Sequence, residues 1–429
     1  MTYPDAIRFL YDLRLFGTKL GLDNTFKLAA LAGNPQHRLR FIHVAGTNGK
    51  GSSCAMLESI YRAAGLRVGL FTSPHLISFA ERIQVNRQLI SEAGVARLVE
   101  DLQPVLKEFP ADEHPTFFEV VTVMALRYFA EQKCDLVIWE TGMGGRLDAT
   151  NIVKPLASVI TNVQFDHQQW LGDALAKIAY EKAGIIKQGV PVVTAAADPD
   201  ALQMIQATAH AQDAPLTIVT AAETQKPPLD AIEVPLRGEH QRLNAALVLA
   251  TIHAVEKDIP VGEEAIREGI ANVQWSGRFQ VIKRVNQTFV LDGAHNVAGA
   301  EALRAVWQKC FDGQQPALVF GMLADKNWAR MCEVLAPLAS RVLLVPVNSE
   351  RTAPPTELAS PCRQSNPRVD VVPCDSLSQA FGKLDAEPLV LVTGSLYLVG
   401  EALQQLQAGG ATIANERGLN EWQAEPERS

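Results

Sequence analysis

Residues 40–65 read RFIHVAGTNGKGSSCAMLESIYRAAG, and this stretch decides the fold. Residues 40–45 are an apolar, β-rich run that predicts a strand. From Lys50 on, Cys54, Leu57, Tyr61 and Ala64 recur at three- and four-residue spacing, which predicts an amphipathic helix stopped by Gly65. Between strand and helix stands Gly46-Thr47-Asn48-Gly49-Lys50-Gly51-Ser52. A glycine-rich loop in that setting binds phosphate. Backbone N–H groups converge on the oxygens, the helix N-terminus adds partial positive charge, Lys50 adds a full cation and Ser52 a hydroxyl. Gly51 separates Lys50 from Ser52, so the loop departs from the strict G-x-x-x-x-G-K-[ST] form and an ordinary ATPase or GTPase reading is weakened.

Outward from this loop, short apolar runs alternate with helical patterns, the mark of parallel α/β architecture. Strands are expected at 68–72, 136–140, 158–161 and 190–194. Their unbroken apolar character suits a sheet covered on both faces. A polar interruption at 283–288 (KRVNQT) precedes a second series at 289–291, 317–320, 341–347, 369–372 and 389–392. The expected organisation is an ATPase and substrate domain over 1–284 and a smaller Rossmann-like α/β domain over 285–429. From 409 on the sequence turns polar, and a frayed tail is expected.

Composition narrows the function. The chain has 429 residues, 47% hydrophobic and 20% charged, an ordinary globular balance long enough for two or three domains. Its 47 acidic and 39 basic residues leave a net charge of −8, so no global positive field collects nucleic acid or anionic lipid. The cysteines at 54, 134, 310, 332, 362 and 374 include no C-x-x-C pair, signalling neither a zinc site nor a disulfide framework. No signal-peptide pattern opens the chain, and no apolar run approaches the roughly 20 residues of a membrane helix. A cytoplasmic monomer acting on small molecules, with neither nucleic acid nor membrane as partner, is expected.

The loop GTNGKGS is followed by Thr72-Ser73-Pro74-His75, by Glu140 with Gly142-Met143-Gly144-Gly145-Arg146-Leu147-Asp148-Ala149-Thr150-Asn151, and by Asp166-His167 and Glu181-Lys182-Ala183-Gly184. Asp292-Gly293-Ala294-His295-Asn296 and Thr393-Gly394-Ser395-Leu396-Tyr397 complete the set. In order and spacing these blocks resemble the folylpolyglutamate synthase/dihydrofolate synthase family of ATP-dependent ligases, related to the Mur-type amide ligases. The resemblance implies a P-loop ATPase domain of Mur-ligase type with a Rossmann-like C-terminal domain. It also implies a reaction in which a carboxylate and ATP form an acyl phosphate that the amino group of glutamate attacks. Mur ligases acting on nucleotide-sugar peptides resemble this chain less, because only 45 residues precede Gly46.

Residue by residue, the resemblance implies Mg²⁺ at Ser73, Glu140 and His167, and a carbamylated Lys182 that helps hold a second ion. ATP would meet Thr47, Asn48, Gly49, Lys50, Gly51 and Ser52, with Asn244 towards adenine and Arg278 and Asp292 towards phosphate and ribose. The pterin pocket would comprise Thr116, Phe117, Phe118 and Glu119 with Leu147, Asp148 and Ala149; one of the two phenylalanines is expected to be plain core. Residues 12–15 fall near a further pterin contact. His295 and Ser395 would face glutamate or the acyl phosphate, and Lys182, Arg278 and His295 would serve catalysis. The expected activity is bifunctional, on dihydropteroate and on tetrahydrofolate, in folate biosynthesis and one-carbon metabolism. A polyglutamate synthase alone, a Mur-type amino-acid ligase and a P-loop switch are the alternatives.

Overall fold

The computed structural model describes residues 1–17, 19, 21–407 and 416–421. Eight strands form the first sheet: β1 (Phe41–Ala45), β2 (Val68–Phe71), β3 (Ile83–Val85), β4 (Gln88–Leu89), β5 (Leu136–Glu140), β6 (Ala157–Ile160), β7 (Val192–Thr194) and β8 (Leu216–Ile218). Their spatial order is β4-β3-β2-β5-β1-β6-β7-β8. Pairing is parallel except at the β2-β3-β4 edge. Side chains alternate across a strand. Phe41 of β1 therefore joins Val137 and Trp139 of β5 in one core, while Ile42 and Val44 join Leu136 and Ile138 in another. With both faces covered, every position of β1 and β5 is buried, which is why the runs read as continuously apolar.

The helix Lys50–Ala63 corrects the expectation of a one-sided amphipathic face: residues 51–61 are all buried. The helices Glu239–Ala254 and Glu263–Ala271 both pack on it, and a Cβ on Gly269 would lie only 2.4 Å from the Ile60 Cα. It ends where expected. Gly65 takes φ 84°, and the N–H groups of Gly65 and Leu66 bond back to the carbonyls of Arg62 and Tyr61 at 3.0 and 3.1 Å.

The second sheet comprises β9 (Gln280–Lys283), β10 (Thr288–Leu291), β11 (Ala317–Phe320), β12 (Arg341–Leu344), β13 (Asp370–Pro373) and β14 (Leu389–Thr393), in the order β13-β12-β11-β14-β10-β9. It is parallel but for β9, which pairs antiparallel with β10. This moves the change of sheet to before Gln280 rather than residue 285. The polar stretch at 283–288 is a hairpin turn within the second unit, closed by Arg284 N–H to the Gln287 carbonyl at 2.8 Å, and not a linker.

The expectation of a frayed tail is also corrected for 416–421; residues 408–415 and 422–429 lie outside the described residues. Glu416–Asn420 forms a short 3-10 turn whose residues are all buried, because its polar side chains find partners on both domains. Among the described residues no helix is long and apolar enough to cross a membrane.

Candidate active site

The strand ends of both sheets open on one cleft of about 910 Å³ between the domains. Open α/β sheets place their ligands at this end of the strands. The loop 46–52 leaves β1 and enters the buried helix. Gly46 and Gly49 have φ of 151° and 85°. A Cβ on Gly46 would meet Thr161 Oγ1 at 1.8 Å, and one on Gly49 would meet Asn244 Oδ1 at 2.7 Å, so both positions require glycine. Asn162 Oδ1 accepts from Asn48 N–H at 2.9 Å, and Thr47 Oγ1 donates to the Gln164 carbonyl at 3.1 Å. The Lys50 ammonium folds over the loop and donates to the Gly46 and Thr47 carbonyls at 3.0 and 3.2 Å. Ser52 is buried beneath and accepts from Gln241 at 3.2 Å; Gln241 in turn accepts from Asn244 at 3.1 Å. The loop is thereby tied to the helix Glu239–Ala254.

Glu140 ends β5. Its carboxylate accepts from Ser73 N–H at 3.0 Å, and burial raises its pKa to about 7 against the pull of Lys50, that N–H group, Arg278 and Arg82. A divalent cation beside this carboxylate would remove the penalty of burying its charge. No three His, Cys, Asp or Glu side chains among the described residues close a cation site alone. His167, in a left-handed turn (φ 50°), lines the same cleft. Burial leads the causes that depress its pKa, favouring the neutral ring that ligates metals.

Lys182, which the resemblance marks for carbamylation, lies at the end of the helix Leu175–Ala183. It is 3% exposed, and its ammonium donates to the Gly46 carbonyl at 2.9 Å. Burial and then Lys50 lower its pKa to about 7, leaving a large share of free amine at neutral pH.

The second domain supplies Arg278, Asp292, His295 and Ser395, all lining the cleft. Asp292 accepts from the N–H groups of Phe279 and Ala294 at 2.8 and 2.9 Å, while burial raises its pKa. His295 Nδ1 faces the Gly293 carbonyl at 2.8 Å, and its Nε2 lies 3.4 Å from Asp166. Asp166 also takes a bond from Asn296 at 3.2 Å and an ion pair from the nearly buried Lys326. Ser395 Oγ accepts from Tyr397 N–H at 3.2 Å.

On the first-domain side, Thr116 caps the helix Phe117–Glu131. Glu119 closes the capping box, its carboxylate accepting from Thr116 N–H and Oγ1 at 2.8 and 2.9 Å and from Thr25 at 3.1 Å. Phe117 packs in the core against Phe79, whereas the half-buried Phe118 borders Gly142 and Asp148. Asp148 accepts from the Met143 and Thr150 N–H groups at 2.8 and 3.0 Å. Leu147 and Ala149 flank it on the cleft, and Arg14 reaches the same wall with its guanidinium 4.8 Å from the Tyr11 ring. Lys326, Gln241, Asn162 and 416–421 were not singled out in the sequence. Each acts through a partner far away in the chain, and no local pattern marks it.

A phosphate loop, a strand-end carboxylate and a second-domain arginine and histidine around one cleft define an ATP-dependent ligase of the Mur type. The Mur ligase middle domain matches residues 44–252, and the Mur ligase glutamate ligase domain matches 277–396. The chain is 36% identical to the dihydrofolate synthase/folylpolyglutamate synthase of Bacillus subtilis, over 94% of this chain and 99% of that protein. It superposes on Escherichia coli FolC in complex with DHPP and ADP with a TM-score of 0.82 at 30% identity, covering 95% and 98% of the two chains. For Mycobacterium tuberculosis folylpolyglutamate synthase complexed with ADP the values are 0.84 and 30%, over 94% and 99%. The chain belongs to the dihydrofolate synthase/folylpolyglutamate synthase family.

Proposed function

We propose that the chain joins L-glutamate to folate-type carboxylates using ATP, taking dihydropteroate to dihydrofolate and tetrahydrofolate to its polyglutamates. The observation that carries this reading is the convergence of the loop 46–52 with Arg278, Asp292 and His295 beside Phe118 and Asp148 in one cleft. The E. coli relative's complex with DHPP and ADP supports a shared cleft for nucleotide and acceptor.

In this reading an acceptor carboxylate oxygen attacks the γ-phosphorus of ATP, ADP leaves, and the glutamate nitrogen then attacks the acyl carbon and expels phosphate. The loop N–H groups, Lys50 and Arg278 bind and orient the phosphates, where fixed donors in a dry site act strongly. Ser73, Glu140 and His167 would hold Mg²⁺, which when bound polarises phosphate oxygens. The neutral amine of Lys182 would add carbon dioxide and release one proton to solvent, giving a carbamate anion beside the Gly46 carbonyl. Asp166 orients His295 towards the glutamate amine, and Phe118 stacks on the flat pterin while Asp148 shapes its edge. Because ligands come from both domains, closure assembles the site.

Oxygen-18 placed in the tetrahydrofolate carboxylate tests the acyl phosphate. The label should appear in released inorganic phosphate; phosphate without label would rule that intermediate out.

A further inference from the structure

Residues 416–421 lie beyond both Mur ligase matches, the second of which ends at 396. They are nonetheless buried and bonded to both domains. On the first domain, the Glu416 carboxylate accepts from Tyr3 Oη at 2.9 Å, Ser78 Oγ at 3.2 Å and Phe79 N–H at 2.6 Å, and its carbonyl lies 2.9 Å from His75 Nε2. Asn420 donates to the His75 carbonyl at 3.0 Å and accepts from the Arg82 guanidinium. On the second domain, Arg417 donates to Gln404 at 2.7 Å, Tyr397 Oη to the Asn420 carbonyl at 2.7 Å, and Arg351 Nε to Glu421 at 3.3 Å. Gly418 presses so closely on Tyr11 that a Cβ would meet its hydroxyl at 1.3 Å.

Leu419, Asn420 and Glu421 line the cleft itself. Asn420 is 3% exposed and meets a residue of the acceptor wall: Arg82 is held in plane by Asn420 Oδ1 and His75 Nδ1, with its guanidinium 5.4 Å from the Phe117 ring. An arginine fixed by two acceptors and an aromatic face is pre-organised, and losing one acceptor frees it to turn.

We propose that 416–421 is an interdomain strap that completes the acceptor side of the cleft, with Asn420 the positioning residue that fixes Arg82 over Phe117. This rests on the ligase reading above. Among the described residues of the first domain, the strap's hydrogen bonds run to Tyr3, His75, Ser78, Phe79 and Arg82 and not to the loop 46–52 or Asn244. Arg82 also bears on Glu140, so the expected effect is larger on the folate acceptor than on ATP.

Steady-state kinetics of the full chain test it, with tetrahydrofolate and ATP varied in turn. Wild-type turnover must first depend on tetrahydrofolate; if it does not, the ligase reading fails and the strap goes with it. Given that turnover, Asn420→Ala and Glu416→Ala should each raise KM for tetrahydrofolate about tenfold and leave KM for ATP within twofold. Tyr3→Phe, which removes one anchoring hydroxyl from a part-buried side chain, should raise it two- to threefold and decides the matter if the other variants do not fold. An unchanged tetrahydrofolate KM, or both KM values rising together, would overturn the proposal.

Discussion

Asn48 of the phosphate loop and Asn296 of the second domain exchange two hydrogen bonds, Asn48 Nδ2 donating to Asn296 Oδ1 at 3.1 Å and Asn296 Nδ2 donating to Asn48 Oδ1 at 3.0 Å. Asn296 also caps the helix Val297–Cys310 through Gly299 N–H at 2.9 Å and reaches Asp166. One side chain thus joins the nucleotide loop, the second domain and the carboxylate that orients His295. Asn296→Ala should destabilise the protein by about 1 kcal/mol through the lost cap. It should also be non-additive with Asn48→Ala in kcat/KM for ATP, with a coupling of about 0.5–3 kcal/mol in a double-mutant cycle. Additive losses would show that the pair does not link the domains during turnover.

Gly49→Ala places a Cβ 2.7 Å from Asn244 at a left-handed backbone position. Strain of about 1–3 kcal/mol corresponds to a loss of roughly five- to a hundred-and-fiftyfold in kcat/KM for ATP. Titration with an ATP analogue should show the same loss in affinity, and full affinity would mean the loop does not hold nucleotide in this shape.

Lys182→Ala should lose about a hundredfold or more in turnover, and added bicarbonate should not restore it. Since only the neutral amine adds carbon dioxide and the pKa of Lys182 is about 7, wild-type activity should fall as pH drops through 7 and recover with bicarbonate above it. Intact mass should show one added carbon dioxide. Near wild-type turnover in the alanine variant would remove the carbamate from the mechanism.

His43 is buried in β1, with Nε2 2.9 Å from Thr150 Oγ1. Burial, and then Lys187, lower its pKa to about 3, below an unfolded value of about 6.5. Between those values the unfolded chain binds a proton that the native chain does not. Stability contributed by neutral His43 is therefore lost as pH falls through this window, by up to about 1.4 kcal/mol per pH unit. Urea denaturation at successive pH values should show a steeper acid slope for wild type than for His43→Asn; equal slopes would contradict this.

How much of this was legible in the sequence follows from burial. The central strands β1 and β5 are buried on both faces, so their apolar runs stand out, and the loop 46–52 is contiguous. The strands β3, β4, β8 and β9 are two to four residues long, and β4, β8 and β9, at sheet edges, are largely exposed or half-exposed, so no alternation marks them. The hairpin turn at 284–287 looked like a linker because a surface turn and a boundary share polar composition. Glu119 stood in the expected pterin motif, yet Thr116-x-x-Glu119 is also a local capping-box signature that the pterin reading passed over; only its bond from Thr25 is hidden from local pattern. Lys182 was marked only by the family motif, because its burial against the Gly46 carbonyl comes from a distant loop, and the strap's polar composition hid partners more than 300 positions away.

The most direct measurement is ADP release by the purified chain with ATP, Mg²⁺ and L-glutamate, with dihydropteroate or tetrahydrofolate offered in turn. Glutamate-dependent release with both acceptors, yielding a product one glutamate longer, is predicted. Release with tetrahydrofolate alone would contradict the bifunctional assignment, and release with neither would contradict the folate ligase account as a whole.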